Sequence, residues 1–106
     1  MAEPIRSILV VDDDHLIGPL LGELLHCLGH TVCALVTSED AAVAAAVRHR
    51  PDLILMDTRL RPGNGIDAID RIVALIGPVP HIFITGDLHD VLARAPEAIA
   101  LQKPFR

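Results

Sequence analysis

This sequence predicts a single α/β domain built on a parallel sheet. Three observations carry that expectation. Five short apolar runs punctuate the chain: SILVV (7–11), TVCALV (31–36), DLILM (52–56), HIFIT (81–85) and AIALQ (98–102). Three of them are continuous rather than alternating, which suits strands buried on both faces of a parallel sheet. The segments between them read as helices, so strand and helix take turns up to the last strand. That order implies right-handed crossovers with helices on both faces. At 106 residues the chain is one domain, 1–106, able to bury about two-thirds of the surface its unfolded form exposes.

Each helix has its own local warrant. Leu16, Ile17, Leu20, Leu21, Leu24, Leu25 and Leu28 recur at helical spacing, and Gly29 follows as a stop. Pro19 is tolerable there only if it lies near the helix start, where no hydrogen bond is lost. Ser38 can cap a second helix through EDAAVAAAVRHR up to Pro51, and the small residues of 41–47 suit close packing on the sheet. GIDAIDRIVALIG (65–77) is a third, with Ile66, Ile69, Ile72, Val73 and Ile76 on one side. LHDVLARA (88–95) is a short fourth with a narrow apolar stripe, and Pro96 ends it. Segment 86–98 is therefore expected to be the most mobile part of the chain.

Composition narrows the function classes. Hydrophobic residues make up 51% of the chain, with Phe83 and Phe105 the only aromatics, so the core must be aliphatic. A net charge of −5 argues against nucleic acid or an anionic membrane surface as the main partner. No apolar run is long enough to span a membrane, and MAEPIRS has no signal-peptide layout. Cys27 and Cys33 make neither a metal spacing nor a disulfide framework, and read as two half-buried thiols of a reducing cytoplasm.

In such a sheet, ligands bind at the C-terminal ends of the strands. The first strand runs into Asp12, Asp13 and Asp14, the third into Asp57, the fourth ends in Thr85 before Gly86, and the fifth leads to Lys103 and Pro104. Crowded carboxylates repel unless a cation sits among them. Two or three of them at one rim make an oxygen site for Mg²⁺, with Lys103 balancing charge from the other side. Space then remains for a dianionic phosphoryl group. Asp57 is placed to form an acyl phosphate, and Thr85 to donate to one of its oxygens.

The motifs VVDDD, PDLILMDTRL, FITG and QKPF, in that order, resemble the signatures of response-regulator receiver domains of two-component signalling. The resemblance covers nearly the whole chain. It implies a flavodoxin-like five-stranded sheet of order 2-1-3-4-5. It implies Asp57 as phosphoacceptor, Asp12 and Asp13 as the acid pair with Asp13 a direct Mg²⁺ ligand, and a metal-binding backbone carbonyl from Arg59. Thr85 becomes the switch hydroxyl and Lys103 the phosphate partner, flanked by Thr58, Gly86 and Pro104, with a cis Lys103–Pro104 bond. Partners implied are a sensor histidine kinase or phosphotransfer protein and an unknown downstream protein. The protein is then a cytoplasmic signalling domain, not a turnover enzyme.

The sequence departs from that family in three ways. Ala100 stands where receivers carry an aromatic residue, three positions before the lysine. Only 18 positions separate Thr85 from Lys103, so the fourth helix must be reduced, as in a subclass with a Phe-x-Thr-Gly motif. The chain stops at Arg106, leaving no fifth helix in this sequence. Two other functions use similar residues. A phosphatase of the haloacid-dehalogenase kind also employs Asp, Thr, Lys and Mg²⁺, but its nucleophile lies on the first strand. A phosphorylation-independent docking module has usually lost a site residue, and none is lost here.

Several residues have plainer readings. An acid at Asp14 usually caps the first helix. His15 reads as a solvated helix-start residue, and His26, His30, His49, His81 and His89 as surface or loop residues without ligand spacing. RLRPGNG (59–65) lacks a complete phosphate-cradle motif and reads as a flexible turn beside the metal.

Overall fold

The structure is a computed structural model describing residues 7–102. Five strands, β1 (Ser7–Val11), β2 (Thr31–Val36), β3 (Leu53–Asp57), β4 (His81–Thr85) and β5 (Ala100–Gln102), form one parallel sheet of order β2-β1-β3-β4-β5. Four helices connect them: α1 (Ile17–Cys27), α2 (Glu39–His49), α3 (Gly65–Ile76) and α4 (Leu88–Arg94). Element order and strand order are those expected. Among the strands, β3 runs one residue later than expected, taking in Asp57 itself, and β5 begins at Ala100 rather than 98.

The continuous apolar runs are explained by burial on both faces. Ile8, Leu9, Val10, Val11, Ile54 and Met56 are all fully buried, each contributing about 1.5–3 kcal/mol by leaving water. Their side chains alternate between two cores. Leu9, Val11, Ile54, Met56 and Phe83 join α2, α3 and Val91 of α4 on one face. Ile8, Val10 and Leu55 meet Leu21 and Leu25 of α1 on the other. Ala42, Ala45 and Ala46 are buried, so the small residues of α2 do bring that helix close to the sheet.

The leucine stripe of α1 is wider than one sheet face can cover. Leu21 and Leu25 pack inward, while Leu16, Leu20, Leu24 and Leu28 are more than half exposed. Ile99 and Leu101 are exposed as well. Among the described residues, α1 is the one helix packed with that second core.

The helix ends follow local chemistry. Asp14 Oδ1 accepts from the amides of Leu16 and Ile17, the plain role expected of it. Pro19 falls in the first turn of α1, where an amide has no intrahelical partner to lose. Gly29 (φ 91°) ends that helix, its amide donating to the His26 carbonyl. Ser38 caps α2 by accepting from Ala41 at 3.2 Å, and Asn64 caps α3 by accepting from Asp67 at 2.8 Å.

Three minor expectations need correction. Cys27 is exposed on α1, because it lies on the helix flank away from the sheet. His81 is no loop residue. It opens β4, half-buried, with Nδ1 2.8 Å from the Val79 carbonyl and its ring edge-on to Phe83. The 59–65 turn carries hydrogen bonds to Glu39 of α2 and from the Asp67 amide of α3.

Candidate functional site

The C-terminal ends of β1, β3 and β4 gather the acids and the hydroxyl at one rim. The Asp12 amide continues the ladder by donating to the Val36 carbonyl at 3.0 Å, which leaves its side chain at the rim, 2% exposed. Asp57 is the last residue of the central strand and 3% exposed. Asp13 is half-buried beside them, with Arg61 Nε 3.6 Å from its carboxylate. Carboxylate oxygens of Asp12, Asp13 and Asp57 all lie within 4.8 Å of one another.

Backbone amides orient two of these carboxylates. Asp12 Oδ1 accepts from the Asp14 amide at 2.9 Å, and Asp57 Oδ1 from the Arg59 amide at 3.1 Å. Both are tight Asx-type turns, so the chain that follows each acid helps hold it. The three oxygens suit a hard divalent cation: all-oxygen, anionic and close enough to share one ion. Asp12, Asp13 and Asp57 would hold Mg²⁺ there.

Thr85 supplies the hydroxyl and is 2% exposed. Its Oγ1 shares a hydrogen bond with the Thr58 hydroxyl and accepts from the Asp87 amide, both at 2.9 Å. A hydroxyl has two lone pairs and one proton. Either threonine hydroxyl can donate in the contact between them, so the Thr85 proton is not fixed by the Asp87 amide, which takes one lone pair. Thr58 therefore does more than flank Asp57, since it helps set the Thr85 rotamer. Gly86 is exposed, with no neighbour within 4 Å of where a side chain would begin. Lys103, Pro104 and the expected cis bond between them lie outside the described residues. The cis bond that is described joins Arg61 and Pro62.

Asp13, Asp57, Thr58, Thr85 and Gly86 line an open depression of about 1210 Å³ that also takes in Asp87, Arg94 and Gln102. A second hollow of about 600 Å³, between α3 and residues 95–98, contains none of the strand-end residues.

The family model for the response regulator receiver domain matches residues 8–104. The chain belongs to that family. This receiver is similar to the phyllosphere-induced regulator PhyR of Methylorubrum extorquens, 35% identical over 99% of the chain and 40% of that protein. It is similar to the transcriptional regulatory protein PdtaR of Mycobacterium tuberculosis, 33% identical over 94% of the chain and 50% of the relative. Among solved structures, the PhyR receiver domain of Erythrobacter litoralis superposes with a TM-score of 0.84 at 30% identity, covering 96% of this chain and 81% of the other. The chain spans half or less of the length of these two curated relatives.

The receiver's loop between β3 and α3 holds residues that the sequence did not single out. Glu39, at the start of α2, accepts from the Asn64 amide at 3.0 Å through Oε1. Its own amide approaches the Pro62 carbonyl at 3.4 Å. Arg71 of α3 bridges Glu39 and Asp40 at 2.9 and 2.7 Å, and its hydrogen bonds to the Asp40 and then the Glu39 carboxylate raise its pKa above the usual arginine value. Asn64 and Glu39 are 25 positions apart, so no local motif marks the pair. Gly63 is the one available clue, being a glycine where φ is 97°.

Proposed function

We propose that this receiver takes a phosphoryl group onto Asp57 and passes the change to a protein-binding surface. One observation carries the reading: three carboxylates within 4.8 Å stand beside a buried hydroxyl at the same strand-end rim. The Asp57 carboxylate forms a new P–O bond as the P–N bond of a phosphohistidine donor breaks, and the imidazole nitrogen leaves with the electron pair. Bound Mg²⁺ would offset the charge of the phosphoryl oxygens during transfer. The Arg59 amide holds one Asp57 oxygen and so fixes the carboxylate plane. The Arg59 carbonyl would complete the metal site. Thr85 would donate its proton to a phosphoryl oxygen, and Lys103 would pair with another.

The switch runs through Thr85. Turning its hydroxyl toward the phosphoryl group disturbs the bond from the Asp87 amide, which belongs to the N-cap of α4. The α4 helix has one buried anchor, Val91, so little resists its re-docking. Donor and target are proteins: a histidine kinase or phosphotransfer protein on one side, and an unknown partner on the other. Similarity to regulators named PhyR and PdtaR supports this regulatory role rather than turnover of an external substrate. No described helix is long and apolar enough to cross a membrane, and the setting we propose is the cytoplasm.

Intact-mass measurement after incubation with a small acyl-phosphate donor tests the reading. Wild type with Mg²⁺ should gain one phosphoryl group, and excess chelator should abolish the gain. Undiminished labelling of Asp57→Asn, or labelling indifferent to Mg²⁺, would overturn it.

A further inference from the structure

We infer that Glu39 is the positioning residue of the β3–α3 loop, and that its carboxylate sets the metal affinity of a site it does not touch. The inference rests on the metal site proposed above and goes beyond it in naming what holds that site's loop. The loop leaves β3 at Asp57 and returns at Gly65. Its base is closed twice, by the antiparallel bridge between Arg59 and Asn64 and by the Gly65 amide on the Thr58 carbonyl at 2.9 Å. Leu60 is buried in the core, while Glu39 braces that base from outside and reaches the tip at Pro62. Its Oε1 takes the Asn64 amide, and its amide meets the Pro62 carbonyl.

The fit is close on both sides. A Cβ on Gly63 would lie 2.5 Å from Glu39 Cβ and 2.6 Å from its Oε1. The glutamate side chain is 17% exposed, so its bond to Asn64 is shielded from competing water. Arg71 reaches the second carboxylate oxygen from the more exposed side, through an ion pair that adds little to the hold. Arg59 is paired with Asn64, so what holds Asn64 also holds the residue whose amide orients Asp57. Rigid support beyond the ligands keeps donor atoms within the narrow tolerance that Mg²⁺ demands.

The test uses four variants, each checked for folding by far-UV circular dichroism. Hydrogen exchange at the Asn64 amide is measured without metal, and Mg²⁺ affinity by calorimetric titration. Glu39→Ala should speed Asn64 exchange and weaken Mg²⁺ binding, each about tenfold, as expected for losing a shielded bond to a charged acceptor. Glu39→Gln keeps the acceptor oxygen and should stay within about threefold of wild type on both readouts. Arg71→Ala removes only a half-exposed ion pair and should also stay within about threefold. If Glu39→Ala does not fold, Gly63→Ala, which pushes on the same contact with Glu39 intact, takes its place and should speed Asn64 exchange and weaken Mg²⁺ binding, each about tenfold.

Unchanged Asn64 exchange in Glu39→Ala overturns the inference. So does unchanged Mg²⁺ affinity once the loop is released, or a Glu39→Gln variant as impaired as Glu39→Ala. A wild-type protein that binds no Mg²⁺ sinks the proposed site and the metal half of this inference together. Asn64 exchange then still decides whether Glu39 holds the loop.

Discussion

Two glycine-to-alanine substitutions within helices should change stability in opposite directions. Gly65 opens α3 against the end of β3. A Cβ there would sit 2.1 Å from the Asp57 carbonyl oxygen, 2.7 Å from Met56 Cγ and 2.9 Å from the Asp57 carbonyl carbon. Ordinary contact begins near 3.4 Å, so helix and strand must part by more than an ångström. Two of the three obstructing atoms are backbone and cannot rotate aside. Overpacking of this kind costs about 1–3 kcal/mol, and the rigid neighbours put Gly65→Ala at or above the upper end. Alanine recovers about 0.5–1 kcal/mol of helix propensity, leaving a net loss of about 2 kcal/mol. At roughly 4–8 °C per kcal/mol for a domain near this size, the midpoint should fall by about 10 °C. Gly22 lies within α1 with nothing within 4 Å of its missing Cβ. Gly22→Ala should therefore gain about 0.5–1 kcal/mol. The chain lacks tryptophan and tyrosine, so thermal and urea unfolding are best followed by far-UV circular dichroism. Gly65→Ala as stable as wild type would refute the steric argument. The same variant should label poorly at Asp57, because the displaced carbonyl belongs to the phosphoacceptor itself.

Other substitutions probe separate parts of the account. Asp13→Ala should weaken Mg²⁺ binding sharply while metal-free stability stays level or rises, since it removes one of three crowded carboxylates and only a loose pair with the exposed Arg61. Unchanged affinity in a calorimetric titration would speak against a metal role for Asp13. Ser38→Ala removes the hydroxyl that caps α2 and should cost about 1 kcal/mol in urea unfolding, with no change in Mg²⁺ affinity. Residues 86–98 should exchange amide hydrogens faster than 7–11 and 53–57, and become protected when a phosphate mimic binds with Mg²⁺. Equal protection of all three segments, or indifference to the mimic, would count against α4 as the switch.

The sheet was legible because burial on both faces leaves an unmistakable trace: continuous apolar runs that stop at acids, such as VVDDD. Ser38 and Gly29 announced two helix ends through local chemistry that tertiary packing did not override. The gathering of Asp12, Asp57 and Thr85 was legible for the same reason, since parallel topology puts these strand ends on one rim whatever the details. What was hidden depends on contacts across the chain. The hydrogen bond from Asn64 to Glu39 joins the starts of two helices 25 positions apart, and GNG reads locally as an unconstrained turn. The Thr58–Thr85 contact spans 27 positions, and no spacing rule marks it. The α1 leucines show the opposite error. Their periodicity gives a helix correctly, but periodicity does not say how much of a wide stripe the sheet can cover.

The central claim is that phosphate is received on Asp57, and locating the adduct tests it most directly. Protein phosphorylated in the presence of Mg²⁺ is reduced with borohydride, which converts an aspartyl phosphate to homoserine, then digested and sequenced by mass spectrometry. The account predicts homoserine at position 57 and unmodified aspartate at 12, 13 and 14. Homoserine at 12 or 13, with Asp57 intact, would contradict it.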